Sequence, residues 1–292
     1  MKAPLSQLEV VRPRDLDHAL QSLAVDDPEL RPLPLAGGTD LFVYLNAGTL
    51  EARRYLDLSS LRGLRGVRVG RAAVTIGALA TFRQLREHRE IRRRLPSLAA
   101  AAREVGAWQI QERATIAGNI ANASPAGDSL PVLLAHDALV QVRSVRGDRT
   151  LALDDFYLGY RRLALAADEL IVAVIIPWSP PRARAFFRKV GTRRAQSISK
   201  VVVATLLRRG RNGAFDHVRI AYGSMAPVPK RARAAEQALL GTRGRAADIA
   251  AARTALARDL TPIDDIRSES DYRMEVAGNV LEQCVRVENG GR

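Results

Sequence analysis

Two glycine segments about 80 residues apart constrain this chain more than any other feature. The first, Leu35-Ala36-Gly37-Gly38-Thr39-Asp40-Leu41, ends a strand-like stretch and opens a helical pattern that runs to about Ala47. Adjacent glycines at such a junction allow positive φ and keep side chains out of the space between backbone and ligand. The N–H groups of the next helical turn have no partners within the helix and can face an anion. Thr39 and Asp40 either add contacts to that anion or cap the helix, and a tight capped turn explains this loop equally well when it is taken alone. The second segment runs from Thr115 to Ser129, rich in Gly, Ala, Asn and Ser, and reads as a loop from Ala114 to Asp128. It either threads beneath a flat ligand or is simply mobile. Ile116, Ile120 and Pro125 are placed for burial, which favours the former. Together the segments suggest one elongated ligand with a phosphate-bearing middle.

Around these segments the pattern alternates helix and strand. Leu16, Ala19, Leu20 and Leu23 have helical spacing within Asp15–Ala24. Tyr55–Leu58 reads as a strand, and Val67–Ala78 as two short strands turning near Gly70-Arg71. A helix begins at Thr81, breaks at Pro96 and resumes to about Val105. A short helix over Ser129–Ala135 precedes strands at Ala138–Val145 and Leu170–Trp178, with a polar segment between them. Pro177-Trp178-Ser179-Pro180-Pro181 breaks regular structure and marks the domain boundary. Beyond it come three antiparallel strands, Ala185–Val190, Lys200–Arg208 and His217–Ser224. Helices follow over Arg231–Leu240, Ala246–Asp259 and Tyr272–Val287. Strands followed by helices make an α+β unit.

Several function classes drop out. The 292 residues carry a formal net charge of +14, which by itself invites nucleic acid or an anionic membrane. The positive charge is almost all arginine and is scattered along the chain. Aromatics are only 5%, and no nucleic-acid-binding signature appears. Acidic partner proteins explain the surplus more simply. The single cysteine, Cys284, rules out a disulfide framework and an iron–sulfur cluster held by this chain alone, and reads as a packing residue. His18, His88, His136 and His217 show no metal-ligand spacing. Ser197-Ile198-Ser199-Lys200 matches an SxxK pattern without its companion motifs. Met1 to Val10 lacks the apolar core of a signal peptide, and no apolar run is long enough to cross a bilayer, so the chain reads as cytoplasmic with no integral membrane segment. There is no convincing acid–base or nucleophilic constellation, so no catalytic or metal residue is assigned, and the chemistry is expected to be a cofactor's.

The ordered motifs resemble a known family. Ala36-Gly37-Gly38-Thr39-Asp40, Thr115-Ile116-Ala117-Gly118-Asn119 and Ala123-Ser124-Pro125-Ala126-Gly127-Asp128 are similar to those of the FAD-binding medium subunit of molybdenum hydroxylases. That group includes the xanthine dehydrogenase and aerobic carbon monoxide dehydrogenase families. Ile176-Pro177-Trp178, Phe186 through Gly191, Arg219 through Pro227, and Asp264-Asp265-Ile266-Arg267-Ser268 with Tyr272-Arg273 resemble its second domain. Ala117 departs from the pattern, because a glycine is more usual there.

The resemblance implies a vanillyl-alcohol-oxidase-type (PCMH-type) FAD-binding domain over residues 1–176. This would comprise two α/β subdomains, about 1–55 and 56–176, with a C-terminal α+β domain over 177–292. It places FAD against Leu35, Ala36, Gly37, Gly38, Thr39, Asp40 and Leu41, and against Thr115, Ile116, Ala117, Gly118 and Asn119. Asp128 matches a carboxylate that contacts the cofactor, Lys189 a basic residue near the isoalloxazine, and Ile171 an apolar residue beside the adenine or flavin. The molybdenum cofactor and 2Fe–2S clusters are expected on a large and a small partner subunit, in a dimer of heterotrimers. Electrons would pass from those clusters through FAD to an acceptor such as NAD or quinone. The alternatives are a stand-alone flavoprotein oxidoreductase of the same fold, similar to the UDP-N-acetylenolpyruvylglucosamine reductases, and a non-enzymatic binding module whose glycine loops are only turns.

Overall fold

The structure is a computed structural model that describes residues 7–193 and 195–288. The N-terminal residues Met1 to Ser6, on which the signal-peptide reading partly rests, lie outside the described residues.

The chain opens with β1 (Glu9–Val11), α1 (Leu16–Leu23), β2 (Leu33–Leu35), α2 (Leu41–Ala47) and β3 (Arg54–Asp57). The strands form a parallel sheet of order β1-β3-β2. Parallel neighbours require crossovers, and here helices supply them. Asp15 caps α1 by accepting the His18 N–H at 2.8 Å, and the helix buries Ala19, Leu20 and Leu23. The expected helix from Gly37 instead begins at Leu41, because Gly37 to Asp40 form the turn itself.

The next unit holds β4 (Val67–Val69), β5 (Ala73–Gly77), α3 (Phe82–Glu87), α4 (Arg89–Arg94), α5 (Pro96–Glu104), α6 (Trp108–Arg113), α7 (Ile116–Asn122) and α8 (Leu130–Ala135). It continues with β6 (Leu139–Ser144), β7 (Gly147–Ala152), α9 (Leu153–Phe156), β8 (Tyr157–Gly159), β9 (Arg162–Leu163) and β10 (Leu170–Pro177). Its main sheet has the order β4-β5-β10-β6-β7 and is antiparallel throughout. Central β10 is apolar on both faces. Full burial of residues such as Val174 and Ile176 stabilises the sheet by about 1.5–3 kcal/mol each. Thr81 and Gln84 form a reciprocal capping box at the start of α3, and Pro96 sits in the first turn of α5.

One expectation for this unit is corrected. The segment from Ala114 to Asp128 is not a loop throughout, since Ile116 to Asn122 form α7, capped by the Thr115 hydroxyl. The polar stretch before Leu170 contains β7, α9 and the β8–β9 hairpin. β7 is an edge strand whose first four residues are exposed on both faces, so its sequence carries no apolar alternation.

The remainder is a sheet of β11 (Arg184–Val190), β12 (Val201–Arg209), β13 (Phe215–Gly223) and β14 (Lys230–Arg231), covered by α10 (Arg233–Leu239), α11 (Ala246–Ala255) and α12 (Ser270–Glu288). All its pairings are antiparallel, and the short β14 extends the expected three strands. The strand period of two divides this sheet between two cores. Val201, Val203, Leu207, Val218, Ile220 and Tyr222 face the helical layer, whereas Ala204 and Ala221 face the preceding unit, where α8 packs. Cys284 is buried in the first of these cores, and burial pushes its thiol pKa up to about 12, as suits a packing residue.

Candidate functional site

The units meet around a cleft of about 680 Å³. One wall is the turn before α2, built from Leu35 through Leu41. Gly37 is obligatory there, because a Cβ would lie 2.1 Å from the Arg113 carbonyl oxygen and 3.1 Å from the Ala114 Cα. That approach seats the first glycine segment on the second, and the Arg113 Nε donates to the Gly37 carbonyl at 3.2 Å. Gly38 has φ +75°, a left-handed conformation that favours glycine. The backbone N–H groups of Gly37, Gly38, Thr39, Asp40 and Leu41 find no acceptor in the protein among the described residues. Successive unpaired N–H groups along a turn form a concave donor surface suited to a phosphate. Asp40 occupies the cap position of α2 but makes no side-chain capping bond. Burial raises its pKa, with Arg161 opposing that shift.

The floor is α7 with the turn that follows it, and it works differently. Its first N–H groups are already used: Ile116 on the Ala80 carbonyl, Ala117 on that of Ala78, Gly118 on the Thr115 hydroxyl and Asn119 on the Thr115 carbonyl. What this segment offers instead is a low surface of Gly118, Ala121, Ser124, Ala126 and Gly127, along which a flat group can lie. Ala117 lies within helical backbone and outside the positive-φ residues, so its methyl group replaces the more usual glycine without strain. The Asn119 side-chain carbonyl accepts from Ser129 at 2.7 Å, and the Tyr44 hydroxyl donates to Asn122 at 2.8 Å, tying α2 to α7.

The third wall comes from the C-terminal unit, where Gln196, Ser197 and Ile198 reach over the cleft. Neighbouring Ser199 is buried and donates to Asp128 at 2.6 Å. The other Asp128 oxygen accepts from Lys189 at 2.7 Å, and Lys189 also donates to the Glu104 carbonyl at 3.1 Å. Burial raises the Asp128 pKa, while Lys189 and Ser199 pull it back.

Most of the expected residues therefore converge. Leu35, Ala36, Gly37, Gly38, Thr39, Asp40, Leu41, Thr115, Gly118, Asn119 and Asp128 all line the cleft. Ile116, Ala117 and Ile171 do not. They are packed into the main core, with Ile171 in β10. Lys189 faces a separate groove beside Arg103, Phe187 and Arg188, and meets the cleft only through Asp128. Tyr44, Asn122 and the segment Gln196–Ile198 were not anticipated. The only sequence signal at the last was the SxxK coincidence. Among the described residues no cluster of His, Cys, Asp or Glu could hold a metal ion, and no helix is long and apolar enough to cross a membrane.

Comparison with known proteins assigns this geometry. Residues 6–179 match the FAD binding domain in molybdopterin dehydrogenase, and residues 177–287 match the CO dehydrogenase flavoprotein C-terminal domain. The chain belongs to the FAD-binding medium subunits of the molybdenum hydroxylase family. It is 31% identical to the xanthine dehydrogenase FAD-binding subunit of Escherichia coli O157:H7 over 267 residues, 90% of each chain. With the nicotinate dehydrogenase FAD-subunit of Eubacterium barkeri it shares 32% identity over 81% of each chain. Its fold superposes on a chain of carbon monoxide dehydrogenase from Hydrogenophaga pseudoflava with a TM-score of 0.91. That match has 28% identity and covers 97% of this chain and 96% of the other. The protein is thus an oxidoreductase subunit, and FAD is its own cofactor. The residues fit that group: the unpaired N–H groups of the first wall suit its diphosphate, and the low floor suits its extended body.

Proposed function

We propose that this subunit passes electrons from the 2Fe–2S clusters of a small partner chain, through FAD, to an external acceptor such as NAD or quinone. The observation that carries this reading is the lining of the cleft. Among the described residues its only ionisable side chains are Asp40, Tyr44 and Asp128, and Asp128 is already engaged by Lys189 and Ser199. A flavoenzyme that oxidises its own substrate needs a positioned proton acceptor beside the reacting atom. Among the described residues the cleft's one unengaged carboxylate is that of Asp40, and it belongs to the Gly37–Leu41 turn whose N–H groups suit the diphosphate, so the walls read as binding and shielding the cofactor rather than as working on a second substrate. Bound in the cleft, FAD supplies the capacity to take electrons singly and release them as a pair. This chain's residues hold the diphosphate on the Gly37–Leu41 amides, support the body on α7, and exclude water with Gln196–Ile198.

The names of the relatives support the wider assembly. One is called a carbon monoxide dehydrogenase medium chain and another a 6-hydroxypseudooxynicotine dehydrogenase complex subunit. On this reading a large chain carries the molybdenum cofactor, a small chain carries the clusters, and the whole is a cytoplasmic dimer of heterotrimers. Residues 1–176 are read as the cofactor domain and 177–292 as the domain that closes it. Replacing Gly38 by Val tests the electron path, because a branched residue at that positive φ disrupts the cradle. The flavin-free complex is expected to bleach its clusters with substrate yet reduce no acceptor. Acceptor reduction at the unmodified rate without flavin would contradict the proposal.

A further inference from the structure

We infer that Arg161, at the tip of the β8–β9 hairpin, is a cofactor-binding residue that supplies the positive charge set against the FAD diphosphate. A diphosphate is a dianion near neutral pH, yet no Lys or Arg among the described residues lines the cleft. The first wall even adds a carboxylate of its own, Asp40, within the same turn that offers the unpaired N–H groups. Backbone dipoles carry only partial charges, so the amides alone would leave this corner of the cleft negative with the cofactor in place.

Arg161 stands where that cation is needed. Asp40 and Tyr44 are one helical turn apart on the face of α2 that lines the cleft, and the Tyr44 N–H donates to the Asp40 carbonyl at 3.1 Å. The Arg161 guanidinium lies 5.3 Å from the centre of the Tyr44 ring and 5.7 Å from that of Tyr160. Its charge also reaches Asp40, whose carboxyl pKa it holds below the value that burial alone would impose. Among the described residues Arg161 makes no ion pair, so no carboxylate neutralises it at contact distance. Its neighbour Arg162 meets neither ring.

The hairpin holds this position through contacts with the walls of the cleft. Buried Tyr157 of β8 packs edge-to-face on Phe156 and donates from its hydroxyl to the Ile120 carbonyl of α7 at 3.4 Å. Tyr44, beneath the guanidinium, is itself tied to Asn122 of α7 at 2.8 Å. Arg161 has φ +53°, a left-handed conformation that glycine adopts with less strain. A long cationic side chain is kept there against that preference, as happens where a ligand contact is at stake. Stacking on the two rings orders the guanidinium in advance, so little freedom is lost when the anion arrives.

Calorimetric titration of the flavin-depleted full-length chain with FAD, at low and at high salt, tests the assignment. Arg161→Met should weaken FAD binding about tenfold at low salt, with the thermal midpoint of the flavin-free chain unchanged. The loss should shrink as added salt screens the charge, and Arg161→Lys should keep most of the affinity. Arg162→Met removes the same charge one residue away and should leave the affinity within about twofold. The effect of Arg161→Met should also persist in an Asp40→Asn background. FAD bound as tightly by Arg161→Met as by the unmodified chain overturns the assignment. An equal loss in Arg162→Met overturns it too, by reducing the effect to overall charge. If the loss vanishes beside Asp40→Asn, Arg161 serves Asp40 and not the cofactor, and the assignment is wrong.

Discussion

At the scale of single residues, the joint between Asp128 and Lys189 carries the most consequence. Their side chains are only 9% and 8% exposed, and they come from different units of the fold. The resemblance to the family suggested two separate contacts with the cofactor. In the structure the two side chains also form one ion pair, which braces the cleft wall against β11. Removing one partner of a buried pair strands the other, so Lys189→Met should cost about 3 kcal/mol in urea unfolding near neutral pH. That loss should shrink as pH falls, because the orphaned Asp128 carboxyl takes up a proton. A loss below about 1 kcal/mol at neutral pH would mean that the pair does not brace the wall.

At the scale of elements, the end of α8 holds a second buried group with a pH signature. His136 lies between the hydroxyls of Ser97 and Ser179, at 3.1 and 3.2 Å, and burial lowers its pKa from 6.5 to about 4. Between those values the unfolded chain binds a proton that the native chain does not. The contribution of this group is therefore complete above pH 6.5 and is lost as pH falls toward 4, by about 3 kcal/mol in all. Unfolding free energies at a series of pH values should show this slope and lose it in His136→Gln; identical slopes would remove His136 as the cause. The elements themselves were unevenly legible in the sequence. The strands of the C-terminal sheet and α12 announce themselves by apolar period. The α7 helix does not, since Gly118, Asn119 and Asn122 score poorly as a helix and only Thr115 signals a cap. The third cleft wall was illegible for another reason. Gln196–Ile198 joins the site only through the packing of β11 and β12 against the first unit, and no local pattern records that.

At the scale of the molecule, the two glycine segments read first in the sequence turn out to be unlike in function. The first presents unpaired N–H groups, and the second a closed, capped helix with small side chains. The surplus of arginine belongs to neither. No Lys or Arg among the described residues lines the cleft, and exposed guanidinium groups elsewhere, Arg161 apart, fit docking surfaces better than a diphosphate. The central claim is that FAD is held by the cradle that Gly37 allows to form against Arg113. Calorimetric titration of flavin-depleted protein with FAD, with and without Gly37→Ala, tests it most directly. The cradle predicts one FAD per unmodified chain and at least about tenfold weaker binding in the variant, or ~1.4 kcal/mol, with the fold intact. Equal affinity in the two proteins would contradict it.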